Sequence, residues 1–136
     1  MNGSALKKYI GGNGRGPGSE DIPDVEESEG FAYGWLRGAR DRAIMLELRQ
    51  KTGNIRAVSY HAIFRVDFDS SEGITLFHGR EIIKIRGRNL KPELGARSLF
   101  EGIVRQRVHW VQEANQSAAI QADKNAVVIE AIEWQQ

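Results

Sequence analysis

A mainly β fold is what this sequence predicts: a small antiparallel barrel or roll, capped by one amphipathic helix in the C-terminal half. Three observations point to it. Apolar and polar residues alternate through most of residues 31–86, the period of half-buried strands. Turn residues such as Thr52-Gly53-Asn54 and His78-Gly79-Arg80 break that alternation at short intervals. Beyond residue 92 the period becomes helical, with Ala96, Leu99, Phe100, Ile103, Val104, Trp110, Val111 and Ala114 on one stripe. At 136 residues the chain has room for one sizeable core. Residues 31–136 are the expected domain, and residues 1–30 the expected tail.

The tail holds the run Gly11-Gly12-Asn13-Gly14-Arg15-Gly16-Pro17-Gly18, followed by acids. Such a segment cannot bury enough apolar surface to offset its ordering entropy, so it reads as disordered and dispensable for folding. No Gly-Lys-Ser/Thr closes the glycine run, which separates it from phosphate-cradling loops. The first strand carries Phe31, Tyr33 and Trp35 on one face, and Ala32, Gly34 and Leu36 on the other. The next points Ile44, Leu46 and Leu48 inward, with Glu47 and Arg49 outward.

From Arg56 to Asp69 the even positions Val58, Tyr60, Ala62, Phe64, Val66 and Phe68 are apolar or small. A straight strand of that length would span ~45 Å, too long for this domain, so a bend is expected, and the out-of-phase Ile63 puts it near His61-Ala62. Asp69–Gly73 is a turn, and strands Ile74–Phe77 and Ile82–Arg86 follow. Gly87–Lys91 reads as a loop, and Pro92 suits the first turn of a helix spanning 93–114. Ser98, Arg105, Gln106, His109 and Glu113 occupy its polar side. The chain loosens over Asn115–Lys124 and ends on a strand, Val127–Trp134.

Several chemistries are excluded at this level. With no cysteine there is no disulfide framework, thiol nucleophile or thiolate metal site. No G-x-S-x-G elbow occurs, and the carboxylates form no evident acid–base pair. His61, His78 and His109 lack metal-ligand spacing, so neither metal nor cofactor is expected. Asp67–Gly73 has the flavour of a calcium loop. Counted from Asp67, however, glycine falls seventh and His78 stands where the distal glutamate belongs, so a plain turn is the reading. Apolar runs are too short to span a bilayer, and no signal peptide is evident, which makes the cytoplasm the expected location.

Charge is uneven. Residues 1–30 hold three bases and six acids, net −3, and residues 31–136 carry +4. The densest basic group is Arg80, Lys84, Arg86, Arg88 and Lys91, with Arg37, Arg40 and Arg42 in another turn. It reads either as an anion-binding face, for phosphate backbone or acidic lipid, or as a solvated strand face. Phe31, Tyr33 and Trp35 pose a similar choice between a base-stacking platform and ordinary core. Arg107 falls inside the apolar stripe. Either the helix breaks before it, or its guanidinium snorkels or pairs with an acid such as Asp67 or Glu47.

The spacing Tyr60-x-x-Ile63-x-x-Val66, Gly73-Ile74-x-Leu76 and Ile83-x-Ile85, followed by Leu99 and Ile103, resembles bacterial pleckstrin-homology-like domains. That resemblance implies a β-barrel closed by a helix, and a module that binds acidic headgroups, peptides or other subunits. The segment Ile44-Met45-Leu46, then Tyr60-His61-Ala62-Ile63-x-x-Val66, is similar to the Sm-like fold of Hfq-type RNA chaperones. That likeness makes His61 the expected RNA-binding residue, although Tyr60 stands where the family has lysine. The expected function is a non-enzymatic binding or oligomerisation module. Its partner would be another polypeptide or a second copy, with nucleic acid or an anionic membrane surface as alternatives.

Overall fold

The chain divides its strands between two sheets, and the division falls at the corner Tyr60–Ala62. The computed structural model describes residues 24–28, 31–91 and 97–135. In one sheet lie β1 (Val25–Glu27), β2 (Tyr33–Leu36), β3 (Met45–Arg49), β4 (Ile55–Ser59) and β8 (Val108–Gln112), in the order β1-β2-β8-β3-β4. The other contains β5 (Ile63–Asp69), β6 (Gly73–His78), β7 (Glu81–Arg88) and β9 (Val128–Gln135), in the order β5-β6-β7-β9. Two short helices, α1 (Leu99–Val104) and α2 (Gln116–Gln121), complete the described elements. The architecture is mainly β, a small sandwich or roll rather than a closed barrel.

The corner is built locally. Ser59 Oγ accepts from the His61 N–H at 3.2 Å, and the Ile63 N–H returns to Tyr60 O, which closes one 3-10 turn. The long alternating segment thus bends where its length requires, placing β4 and β5 in different sheets. Tyr60 anchors the bend: its buried hydroxyl donates to Val108 O at 2.7 Å, and burial pushes its phenol pKa up. Ile44 lies opposite Tyr60, whose N–H donates to Ile44 O. Tyr60 fills that end of the core, so Ile44 is 74% exposed rather than inward, while Leu46 and Leu48 are fully buried as expected.

The core sits between the sheets. Leu46, Leu48, Val58, Val108 and Val111 face Ile74, Leu76, Ile83, Ile85, Ile129 and Ile132. Complete burial of each such side chain stabilises by about 1.5–3 kcal/mol. The Asp69–Gly73 turn forms as expected. The Asp69 carboxylate accepts from the Ser71 N–H at 2.8 Å, the Ser71 hydroxyl at 2.6 Å and the Glu72 N–H at 3.0 Å. The Ser71 hydroxyl, then the two amides, hold its pKa below the usual carboxylate value.

The expected helix over 93–114 is corrected. Among its described residues Leu99–Val104 alone is helical; Gln106 takes a left-handed φ of 59°, and the chain re-emerges as β8. A β-bulge produced the misreading. Trp35 pairs with Val108, but Gly34 pairs with Trp110, so β8 spends an extra residue opposite β2. The shift turns both Val108 and Val111 toward the core, and Trp110 and Val111, adjacent and both buried, prolong the helical stripe begun by Leu99 and Ile103. Leu99 and Ile103 are nevertheless buried, as the stripe required. Glu113, assigned to the polar side, is buried, and Asn115–Lys124 contains α2 rather than loop alone.

The boundary at residue 30 also shifts. Val25–Glu27 pairs antiparallel with Gly34–Leu36, so part of the supposed tail is an edge strand. The rest of that segment, apart from Asp24 and Ser28, lies outside the described residues, as do residues 92–96. No helix among the described residues is long and apolar enough to cross a membrane.

Candidate functional site

Aromatic residues were one candidate platform, and the structure covers them. Tyr33 is buried and Trp35 half-buried against the core, whereas Phe31 precedes the strand at φ 59° and is 63% exposed. All three tryptophans carry a guanidinium over the ring: Arg97 on Trp35 at 4.6 Å, Arg49 on Trp110 at 4.7 Å and Arg56 on Trp134 at 4.5 Å. Each of these arginines is held by a glutamate, Glu26 at 3.0 Å, Glu47 at 2.9 Å and Glu81 at 2.7 Å respectively. A ring face lidded by a tethered guanidinium is not free to stack on a base. Trp110 lies so close over Gly34 that any β-carbon there would collide with its indole.

The basic group is brought together only in part, and it is largely neutralised. Lys84 and Arg86 project from the outer face of β7, opposite the buried Ile83 and Ile85. Glu72 lies 3.3 Å from Lys84 and 3.4 Å from Arg86, which also meets Glu133 at 3.4 Å. Arg88 pairs with Glu130 at 3.5 Å and donates to Ala119 O at 2.7 Å. Arg80 is exposed in the β6–β7 turn and Lys91 is exposed beyond β7. Sheet register produces this balance, since Lys84 and Glu133 are direct cross-strand partners. His61 stands apart from Lys84–Arg88, exposed on the corner turn, where the Gly79 N–H donates to the adjacent Ala62 O.

Arg107 is 8% exposed and has a structural task. The helix does break before it, but its partners are carbonyls rather than Asp67 or Glu47: it donates to Leu36 O, Gly38 O and Asp41 O. One buried cation thereby holds the 37–42 loop against the end of β2. Arg37 in this loop reaches Asp24 at 3.5 Å.

A cavity of about 540 Å³ opens between α2 and the ends of β8 and β9, lined by Phe31, Ala114, Ala118, Ala122 and Ile129 among others. Glu113, also in its lining, is already engaged. One carboxylate oxygen accepts from the Lys51 N–H at 2.8 Å, the other from the buried Ile132 N–H at 2.6 Å. Among the described residues no group of three His, Cys, Asp or Glu is placed to hold a metal ion.

What distinguishes one region is its backbone. Among the described residues the two-sheet fold has four strand edges, and three are short, bulged or obstructed. At β9, Ile129 O accepts from the Ala114 N–H, Ile132 N–H donates to Glu113, and Ile132 O accepts from Gln50 at 2.8 Å. The β5 edge is bulged between Ile63 and Arg65, bears charged Arg65, Asp67 and Asp69, and is packed by α1 through Phe68 and Phe100 at 6.0 Å. The β1 edge is three residues long and acidic.

The β4 edge differs on every count. Gln50 N–H donates to Asn54 O, and Tyr60 N–H to Ile44 O, which fixes the hydrogen-bonding phase of the β3–β4 hairpin. Alternation along the ladder then turns the N–H and C=O of Ile55, Ala57 and Ser59 away from β3. Their side chains are uncharged, Ile55 is 60% exposed, and the register has no bulge. Sequence reasoning missed this feature. Its signal was present in the uncharged outer residues of Ile55–Ser59, but which strand lies at an edge is not local information. No family model matches the chain, and neither a curated protein nor a solved structure does.

Proposed function

We propose that the protein is a non-enzymatic binding module that takes up an extended polypeptide strand along β4. The supporting observation is the row of outward N–H and C=O groups at Ile55, Ala57 and Ser59, beside exposed Ile55 and Met45 on the same sheet face. Added strands gain affinity from main-chain hydrogen bonds and selectivity from alternate side chains. An unbulged edge with uncharged outer residues is what such an addition needs, and what an isolated domain ordinarily disguises. Anion binding by β7 is less well supported, because Glu72, Glu130 and Glu133 already compensate Lys84, Arg86 and Arg88.

The test is amide exchange of the full chain with and without a blocked, alternating threonine–valine hexapeptide. Ile55, Ala57 and Ser59 amides should become protected on addition, while amides of the β9 edge stay unchanged. Exchange at the β4 edge that no peptide or protein concentration slows would sink the proposal.

A further inference from the structure

Building on the strand-docking reading, we infer that the partner of β4 is a second copy of this chain, paired antiparallel about a two-fold axis through Ala57. The phase of the edge permits this. Because Ile55, Ala57 and Ser59 all turn their polar groups outward, a two-fold through Ala57 sets Ala57 against the partner's Ala57 and Ile55 against the partner's Ser59. The Ala57 pair exchanges two hydrogen bonds, and each Ile55–Ser59 pair gains the bond from the Ser59 N–H, the Ser59 C=O being shared with the 3-10 corner. The two five-stranded sheets then continue as one. A two-fold contact must be self-complementary, so the residue on the axis meets itself. Ala57 is small and uncharged, and nothing repels there.

The outer faces agree as well. Met45 pairs with Ser59 within one chain, so the row across the junction reads Ile55, the partner's Ser59, the partner's Met45. The two exposed apolar side chains, Ile55 at 60% and Met45 at 39%, thus flank a small serine and can close over it. Like charges stay apart. Glu47 is the cross-strand partner of Ala57, so the two Glu47 residues lie three strand spacings from each other, ~14 Å. That exceeds the ~8 Å screening length at physiological salt, and each Glu47 is already paired with Arg49 at 2.9 Å. The acidic edge fails the same test: a two-fold through Glu26 or Glu27 of β1 would set that glutamate against its own copy. One strand pair is small beside the ~1,600 Å² of a standard interface, so the dimer is expected to be reversible and concentration-dependent.

The chain has no cysteine, so single cysteines report the register directly. Directly opposed residues in a hydrogen-bonded antiparallel pair have Cα atoms ~5.5 Å apart, within disulfide reach. Under mild oxidation Ala57→Cys should form a linked dimer, many-fold more of it than Ile55→Cys, whose copies lie ~14 Å apart in this register. The double variant Ile55→Cys, Ser59→Cys should link again. Sedimentation and amide exchange of the wild type over a concentration series should show a dimer, with protection rising at Ile55, Ala57 and Ser59 together. Equal linking of Ala57→Cys and Ile55→Cys would overturn the register. A wild type that stays monomeric while the threonine–valine peptide protects the edge would overturn the second copy but keep the strand-docking reading. Absence of protection under every condition would remove both.

Discussion

The edges of β9 and β4 present the same backbone chemistry and receive opposite treatment. At β9, Glu113, Gln50 and the Ala114 amide occupy the free polar groups, and α2 lies alongside. At β4 nothing described reaches the outward groups of Ile55 and Ala57 or the Ser59 N–H, while the Ser59 C=O closes the 3-10 corner, and the outer side chains of the strand are neutral. Stability does not account for the difference, because leaving polar groups to water costs little, whereas an open edge invites pairing with another chain. The contrast teaches where this fold spends its polar side chains: on closing one end of the sandwich, and not on guarding β4.

The largest expected effect lies at the closed edge. Glu113→Ala removes the acceptor of two amides, one of them the buried Ile132 N–H, and should destabilise by about 3–4 kcal/mol in denaturant unfolding. A loss below about 1 kcal/mol would show that water replaces the carboxylate and that the β9 edge is not sealed by it. Next in size is the support between the sheets. Leu99→Ala or Ile103→Ala should cost about 2–4 kcal/mol, since both side chains are buried in the core although their helix is short. A cost typical of exposed sites, about half a kcal/mol, would place α1 outside the cooperative unit.

At the open edge the expected stability effect is small and the association effect large. Ala57→Pro removes an N–H that points away from β3, a position where an edge strand tolerates proline. Unfolding should change by about 1 kcal/mol or less, while sedimentation shows the dimer gone. Loss of several kcal/mol would mean that the Ala57 N–H serves the fold itself. Smallest of all is the outer face of β7. Arg86→Ala with Arg88→Ala breaks exposed ion pairs, expected to contribute about 0–1 kcal/mol each. The double variant should unfold like wild type and self-associate unchanged. A steep salt-dependent affinity for RNA in the wild type, lost in the double variant, would move the functional surface from β4 to β7.

Particular residues mark how far the sequence could be read. The turns at Thr52-Gly53-Asn54, Asp69–Gly73 and His78-Gly79-Arg80 stand where the glycines and short polar side chains put them. The need for a bend followed from length, and its place at His61-Ala62 from the out-of-phase Ile63. The helix over 93–114 failed because Trp110 and Val111, both buried beside the bulge in β8, fall at the helical spacing that Leu99 and Ile103 begin. Arg107 was recognised as anomalous, but its partners are main-chain carbonyls, which carry no residue identity in a sequence. The basic group was visible as a run of positive residues, yet its neutralisation depends on Glu72 across the neighbouring strand and on Glu130 and Glu133, more than 40 positions further on.

By itself, then, the sequence determined the mainly β class, the positions of the hairpins, the two-way split of the long central strand and the burial of Leu46, Leu48, Leu99 and Ile103. These depend on period and turn chemistry, which act over a few residues. Only the tertiary structure decided that β8 inserts between β2 and β3, running parallel to β3, and that Arg49, Arg56 and Arg97 cover the three indoles. Tertiary structure alone also decided that β9 is sealed while β4 is open. Each of those outcomes turns on which strand comes to lie beside which, and that is set by burying both sheet faces in one core. An edge is a property of the whole strand order, so a strand's own residues do not show that it will lie at one.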